Sequence, residues 1–171
     1  MNNSYATALF EIALEDNALD LCEKSFVAFI ENYEHNRDFM NFFNSPNVGI
    51  ADKKALIKEA FKECYFDFVN FLYVVIDNHR ETLIKEIYDD FIHLYCESQK
   101  IKMVKVVSSK PLSNEEREVL TTSLTKYFKG YKIDINNDVD ESIISGYRLF
   151  ADGKRLNLNA KDQLDNLKAK L

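Results

Sequence analysis

Residues 103–116, Met103-Val104-Lys105-Val106-Val107-Ser108-Ser109-Lys110-Pro111-Leu112-Ser113-Asn114-Glu115-Glu116, divide the chain in two. Met103 to Val107 alternates with β-branched residues, the pattern of a short strand with one buried face. Pro111 lacks a backbone donor and restricts Lys110, so the strand must end before it. Ser113 with Glu116 three residues on has the spacing of a helix capping box. Everything before this unit reads as helix, and everything after it as mixed strand and helix.

Working back toward the N-terminus, Asn3 or Ser4 can cap a first helix to about Asp16, with Tyr5, Ala8, Leu9, Ile12 and Ala13 as its apolar stripe. A second helix spans about Leu19 to His35, and a short third one runs from Arg37 to Phe43 until Asn44-Ser45-Pro46 stops it. Val48-Gly49-Ile50 reads as a turn, after which Asp52 can cap a fourth helix. The fifth, about Asp67 to Asn78, is apolar nearly all round, as in a helix buried on most faces or one that gives a face to a partner. Asn78-His79-Arg80 breaks it, and a sixth, long helix runs from about Glu81 to Gln99.

Working forward, Gly130 can end the helix that begins at Ser113, and Lys132-Ile133-Asp134-Ile135 forms a second short strand. Asp152-Gly153 between Tyr147–Phe150 and Arg155–Leu158 is a hairpin signal. Asn159 can cap a closing helix with Leu164, Leu167 and Leu171 on one face. The expected fold is therefore mainly α: a six-helix bundle over residues 1–102, then a small α/β domain over 103–171 with short strands and two helices.

Composition narrows the function. The chain is 46% hydrophobic and 29% charged, with four glycines and two prolines, so it is an ordinary packed chain with little room for linkers. Its formal charge of −6 and pI near 5.1 count against nonspecific nucleic-acid binding, which requires a basic face. No apolar run approaches the roughly 20 residues of a membrane span. The start, Met1-Asn2-Asn3-Ser4, has no signal or transit features, so the mature protein is expected to begin there, in a cytoplasm. Cys22, Cys64 and Cys96 are odd in number and widely spaced, as suits small apolar helix residues.

The chain carries little that suggests chemistry. Glu86, Asp90 and His93 share a helix, and Asp90-x-x-His93 is half of a di-iron pattern, but no second pair exists to complete it. A solvated charged face accounts for them better. Asn136 to Glu141 resembles a calcium loop but lacks its mid-loop glycine and distal glutamate, so a turn is the better reading. No phosphate loop or nucleophile elbow occurs. No catalytic residue, cofactor or metal is expected, which favours a structural or interaction role.

One resemblance covers nearly the whole chain. Tyr5-Ala6-x-Ala8-Leu9-Phe10-Glu11-x-Ala13 looks like the opening of the δ subunits of bacterial ATP synthase, whose mitochondrial equivalent is the oligomycin-sensitivity-conferring protein. Further similar motifs follow in order: Phe43-x-Ser45-Pro46, Asn70-Phe71-Leu72 with Asn78-x-Arg80, and Phe91. Then come Val104-x-Val106-x-Ser108-Ser109-x-Pro111-Leu112-Ser113 and Val139-Asp140-x-Ser142-Ile143-Ile144-x-Gly146. The departures are Ser145-Gly146 where the family has paired glycines, Ala151-Asp152 where Gly-Asp is frequent, and Asn157 where Asp is usual. They bear on the hairpin's geometry.

The resemblance implies a non-catalytic stator subunit, one copy per complex, peripheral on the cytoplasmic face of a bacterial plasma membrane. It implies that the bundle grips N-terminal segments of the α subunits, docked as amphipathic helices on the first and fifth helices. Candidate contacts are Tyr5, Ala8, Leu9 and Ile12 on the first, and Asn70, Tyr73, Val74 and Asp77 on the fifth. Core packing is the competing account, favoured at Ile12 and evenly balanced at Tyr73, Val74 and Asp77. The C-terminal unit would bind the b subunits, with Leu149, Phe150, Leu164, Leu167 and Leu171 as its apolar contacts. The rival functions are a free-standing helical adaptor or RNA-associated bundle, and a metal-dependent enzyme using Asp90 and His93.

Overall fold

The computed structural model describes residues 4–143 and 146–156. Its contacts separate two compact units, one ending at Tyr95 and the other beginning at Cys96. The described residues are mostly helical, with a small four-stranded sheet in the second unit.

In the first unit the helices are α1 (Ser4–Glu15), α2 (Leu19–His35), α3 (Arg37–Asn44), α4 (Ile50–Ala60), α5 (Phe66–Asp77) and α6 (Ile84–Ser98). A 3₁₀ turn, Glu81–Leu83, precedes α6, so the expected single helix from Glu81 is two elements. Ser4 lies inside α1 instead of capping it, and Asn3 falls outside the described residues. The turn between α3 and α4 comes a little earlier than expected, at Pro46–Val48.

Local rules explain most of the remaining ends. Asn17 and His79 take left-handed backbone (φ 53 and 52) just after α1 and α5, the conformation that closes a helix C-terminus. Asn36 caps α3 by accepting the Phe39 N–H at 3.1 Å. At the start of α5 no side chain of its own serves; Ser25 of α2 accepts the Tyr65 N–H at 2.9 Å instead. The expected cap at Asp52 is not what forms. Gly49 is the N-cap and α4 starts at Ile50, leaving Asp52 in the first turn, where a carboxylate suits the positive end of the helix dipole.

An aromatic cluster fills this unit. Phe26 and Phe29, both fully buried on α2, lie at its centre. Phe26 meets Phe68, Phe71, Tyr88 and Phe91 at ring separations of 5.0 to 5.9 Å. Phe29 meets Phe39, Phe43, Phe61 and Phe68. One helix therefore carries the rings on which α3, α5 and α6 pack.

In the second unit β1 (Ile101–Ser108) and β2 (Lys132–Val139) pair in parallel across the crossover helix α7 (Asn114–Tyr127). The strands β3 (Tyr147–Ala151) and β4 (Lys154–Leu156) complete the order β2-β1-β3-β4, both in antiparallel pairings. Val104, Val106, Leu120, Leu124, Ile135, Leu149 and Ala151 are its buried apolar centre. The capping box forms as read: Ser113 Oγ accepts from Glu116 N at 3.2 Å, and Glu116 Oε2 accepts from Ser113 N at 2.9 Å. Asp152 and Gly153 both take positive φ (51 and 71), so the hairpin closes despite Ala151 standing where the family often has glycine.

Both inner strands are longer than expected. Residues 136–139 continue β2 in parallel register with β1, where a turn was expected; only Glu141 and Ser142 turn. The reason is Asn137. Its Nδ2 donates to Val106 O at 3.1 Å and to Ser108 Oγ at 2.8 Å, and its Oδ1 accepts Leu112 N–H at 2.9 Å. A polar side chain thus fastens the strand to the loop that leaves β1.

Candidate partner-binding faces

Helix α5 faces the core with Phe68, Phe71, Leu72, Val75 and Ile76. The residues between them form an outer stripe that remains apolar in part: Phe66 is 73% exposed and Val74 48%, with Val69 and Tyr73 half-buried. Since α1 and α4 both pack against α5, this stripe runs between two flanks.

On the α1 side the residues divide. Ala6, Leu9 and Ala13 are buried, so Leu9, at 1% exposure, is core and offers no surface to a partner. Core packing was the favoured account for Ile12, yet Ile12 is 45% exposed. The buried face of α1 is centred one residue away from the expected stripe: Ala6, not Tyr5 or Ala8, opens it. Ala8 is exposed and Tyr5 half-buried.

On the α4 side lies a groove of about 970 Å³. Asn70 and Tyr73, both expected to face a partner together with α1, line this groove instead. Lys54 stands on its wall with Nζ 5.5 Å over the Tyr73 ring and 2.7 Å from the Asp77 carboxylate. Asp77 is therefore already engaged, through a half-exposed pair that a partner's charge can exchange with at little cost. The helix pattern of α5 showed a surplus of apolar positions; it could not show which neighbour would flank them.

In the second unit Leu149 is buried at 4% exposure and belongs to the core, while Phe150 is half-buried. Leu164, Leu167 and Leu171 lie outside the described residues. Glu116 collects donors here: besides the Ser113 N–H it accepts the Tyr147 hydroxyl at 2.6 Å. Those bonds, the tyrosine's first, hold its carboxyl below the usual range. Burial, then the Glu116 bond, pushes the Tyr147 hydroxyl up to about 12.

Glu86 and His93 of α6 are exposed and Asp90 is half-buried. No group of three or more His, Cys, Asp and Glu able to hold a metal ion occurs among the described residues. Nor is any described helix long and apolar enough to cross a membrane.

Residues 1–171 match the family pattern of the ATP synthase delta (OSCP) subunit. The subunit delta of a Geobacillus sp. ATP synthase is 32% identical over 145 residues, 85% of this chain and 82% of its own length. That of Acholeplasma laidlawii is 27% identical over 98% of this chain and 97% of its own length. A chain in the cryo-EM structure of the Toxoplasma gondii mitochondrial ATP synthase hexamer shares the fold, with a TM-score of 0.74 at 21% identity. The match covers 97% of this chain and 94% of that one.

The protein belongs to the ATP synthase delta (OSCP) subunit family. It is a non-catalytic stator subunit of the peripheral stalk, and so a peripheral component of a membrane-bound complex. A free-standing adaptor or RNA-associated bundle finds no support in these matches.

Proposed function

We propose that this subunit clamps the catalytic head to the b-subunit stalk, with residues 1–102 acting as a six-helix bundle on the head and residues 103–171 holding the b subunits. An N-terminal segment of an α subunit docks as an amphipathic helix against α1 and α5. It uses Tyr5, Ala8 and Ile12 on one helix and Val74 on the other. Phe150, with Leu164, Leu167 and Leu171, serves the b subunits. One copy acts per complex, on the cytoplasmic face of a bacterial plasma membrane.

The observation that carries this reading is the exposure of Ile12 and Val74, 45% and 48%, on two helices that pack together. Large aliphatic side chains left half in water on neighbouring helices are what helix-in-groove docking requires. The clamp makes and breaks no bonds. It must outlast the torque on the head, so slow dissociation and two attachment points matter more than fast association.

Titrating the full chain with a peptide of the host's α-subunit N-terminus tests the upper contact. Saturable binding weakened by Val74→Asp and by Ile12→Asp is expected. A peptide that fails to bind the folded chain, or binds both variants as tightly, would remove the α1–α5 face from the proposal.

A further inference from the structure

Among the described residues β2 has one neighbour, β1, so its outer side is a sheet edge. In a parallel pair, successive residues direct their backbone N–H and C=O alternately toward the neighbouring strand and away from it. The Lys132 N–H donates to Lys100 O at 2.8 Å, and the Asp140 N–H to Ser108 O at 2.9 Å. Even-numbered residues therefore bond to β1, while Ile133, Ile135, Asn137 and Val139 turn their backbone groups outward. Such an edge is a template for another strand.

Its middle is already taken. Arg117, in the first turn of α7, donates from Nη1 to the outward Ile135 carbonyl at 2.9 Å. The guanidinium reaches from the helix layer to the edge of the sheet and makes a charge-assisted bond there, stronger than a neutral one.

The edge is also complementary to itself. When two β2 strands are set antiparallel with Ile135 facing Ile135 of a second copy, the two isoleucines exchange both backbone bonds. Lys132 then stands opposite Asp138 at either end, and both are exposed. Opposite charges directly across two strands favour pairing. Asp138 also pairs with Lys105 at 2.5 Å, an exposed contact that is shared at little cost. The bonds at the centre of this arrangement need the carbonyl that Arg117 holds.

We infer that Arg117 is an edge guard: by holding the Ile135 carbonyl it keeps β2 from pairing with β2 of a second copy of this chain. A stator subunit joined to its own kind through one continuous sheet would be withdrawn from assembly. The inference is independent of the contacts with α and b subunits.

Sedimentation equilibrium of the full chain, with amide hydrogen exchange on the same samples, tests the guard. Arg117→Met keeps the side-chain stem and deletes the donors. It should dimerise at least about tenfold more tightly than the wild-type chain, because two charge-assisted bonds no longer have to break. Arg117→Gln, too short to reach the carbonyl, should behave alike, so a folding defect in one variant leaves the other to decide. The amides of Ile133, Ile135 and Asn137 should gain protection as the dimer forms. Adding Lys132→Glu should return either variant to wild-type behaviour, since like charges then face each other. Leu120→Ala, which loosens the core of the same unit away from the edge, should associate no more than the wild type.

Arg117 variants that associate no more than the wild type overturn the guard, as do dimers whose protected amides lie outside β2. The same dimers from Leu120→Ala overturn it as well, because loosening of the unit would then be enough. Dimers indifferent to Lys132→Glu overturn the pairing centred on Ile135.

Discussion

Lys53 Nζ lies 2.6 Å from Glu81 Oε1, with side-chain exposures of 4% and 7%. The pair ties α4 to the 3₁₀ turn before α6, and it is the closest thing in the first unit to a buried rivet. A buried pair is expensive to desolvate, but removing one member leaves an uncompensated charge and costs about 3–5 kcal/mol. Lys53→Met and Glu81→Leu should each destabilise by that order in urea unfolding, and the double variant by clearly less than their sum. Additive losses would mean that the two side chains act separately.

Phe26 touches four rings from two other helices and is fully buried. Phe26→Ala should cost about 3–5 kcal/mol, and Phe26→Leu less, because Leu refills most of the void. Comparing both midpoints in calorimetry checks the order. Equal losses would show that ring contacts rather than volume dominate.

The Ser113–Glu116–Tyr147 network makes the second unit sensitive to both extremes of pH. Glu116 is held below its ordinary value, so its contribution is present above about pH 4.5 and is lost as pH falls through the folded value. Tyr147 is raised to about 12, so its contribution is present below pH 10 and declines as pH rises from 10 toward 12. Thermal midpoints measured across pH should show both declines. Tyr147→Phe should remove the alkaline one and weaken the acid one; an unchanged profile would dissolve the network.

Cys22 is sealed in the core, and burial, reinforced by the carboxylates of Asp67 and Glu23, pushes its thiol up to about 12. Native alkylation at pH 8 should therefore spare Cys22 and reach Cys64 and Cys96, which are half-buried. Mass spectrometry of the labelled peptides reads this directly. Modification of Cys22 at the rate of the others would mean that the aromatic cluster opens readily.

What could be read from the chain was whatever local chemistry decides. The box at Ser113 and Glu116 and the Asp152-Gly153 turn depend on residues at most three apart, and both form where the pattern put them. Other features depend on neighbours far along the chain. The polar run Asn136-Asn137-Asp138 resembles a turn until β1, about 30 residues earlier, supplies its ladder. Asp52 met the rule for a cap, yet the helix had already begun at Ile50. Lys53 and Glu81 look like surface charges until the fold closes 28 residues between them. The surplus apolar face of α5 was legible in its composition; that Asn70 and Tyr73 line a groove with α4 was not, because no periodicity names a helix's neighbour.

The strand order β2-β1-β3-β4 also sets a timetable. β1 lies inside the sheet, yet one of its two neighbours, β3, begins at Tyr147, about 40 residues after β1 ends at Ser108. On a ribosome the helices of the first unit have their partners early and can condense as they emerge. The sheet must wait with one side of β1 open until Tyr147 to Ala151 have emerged. During that interval the exposed edge is a template for wrong pairing. Truncations ending before Tyr147 should therefore aggregate through the second unit while the helical unit is already folded.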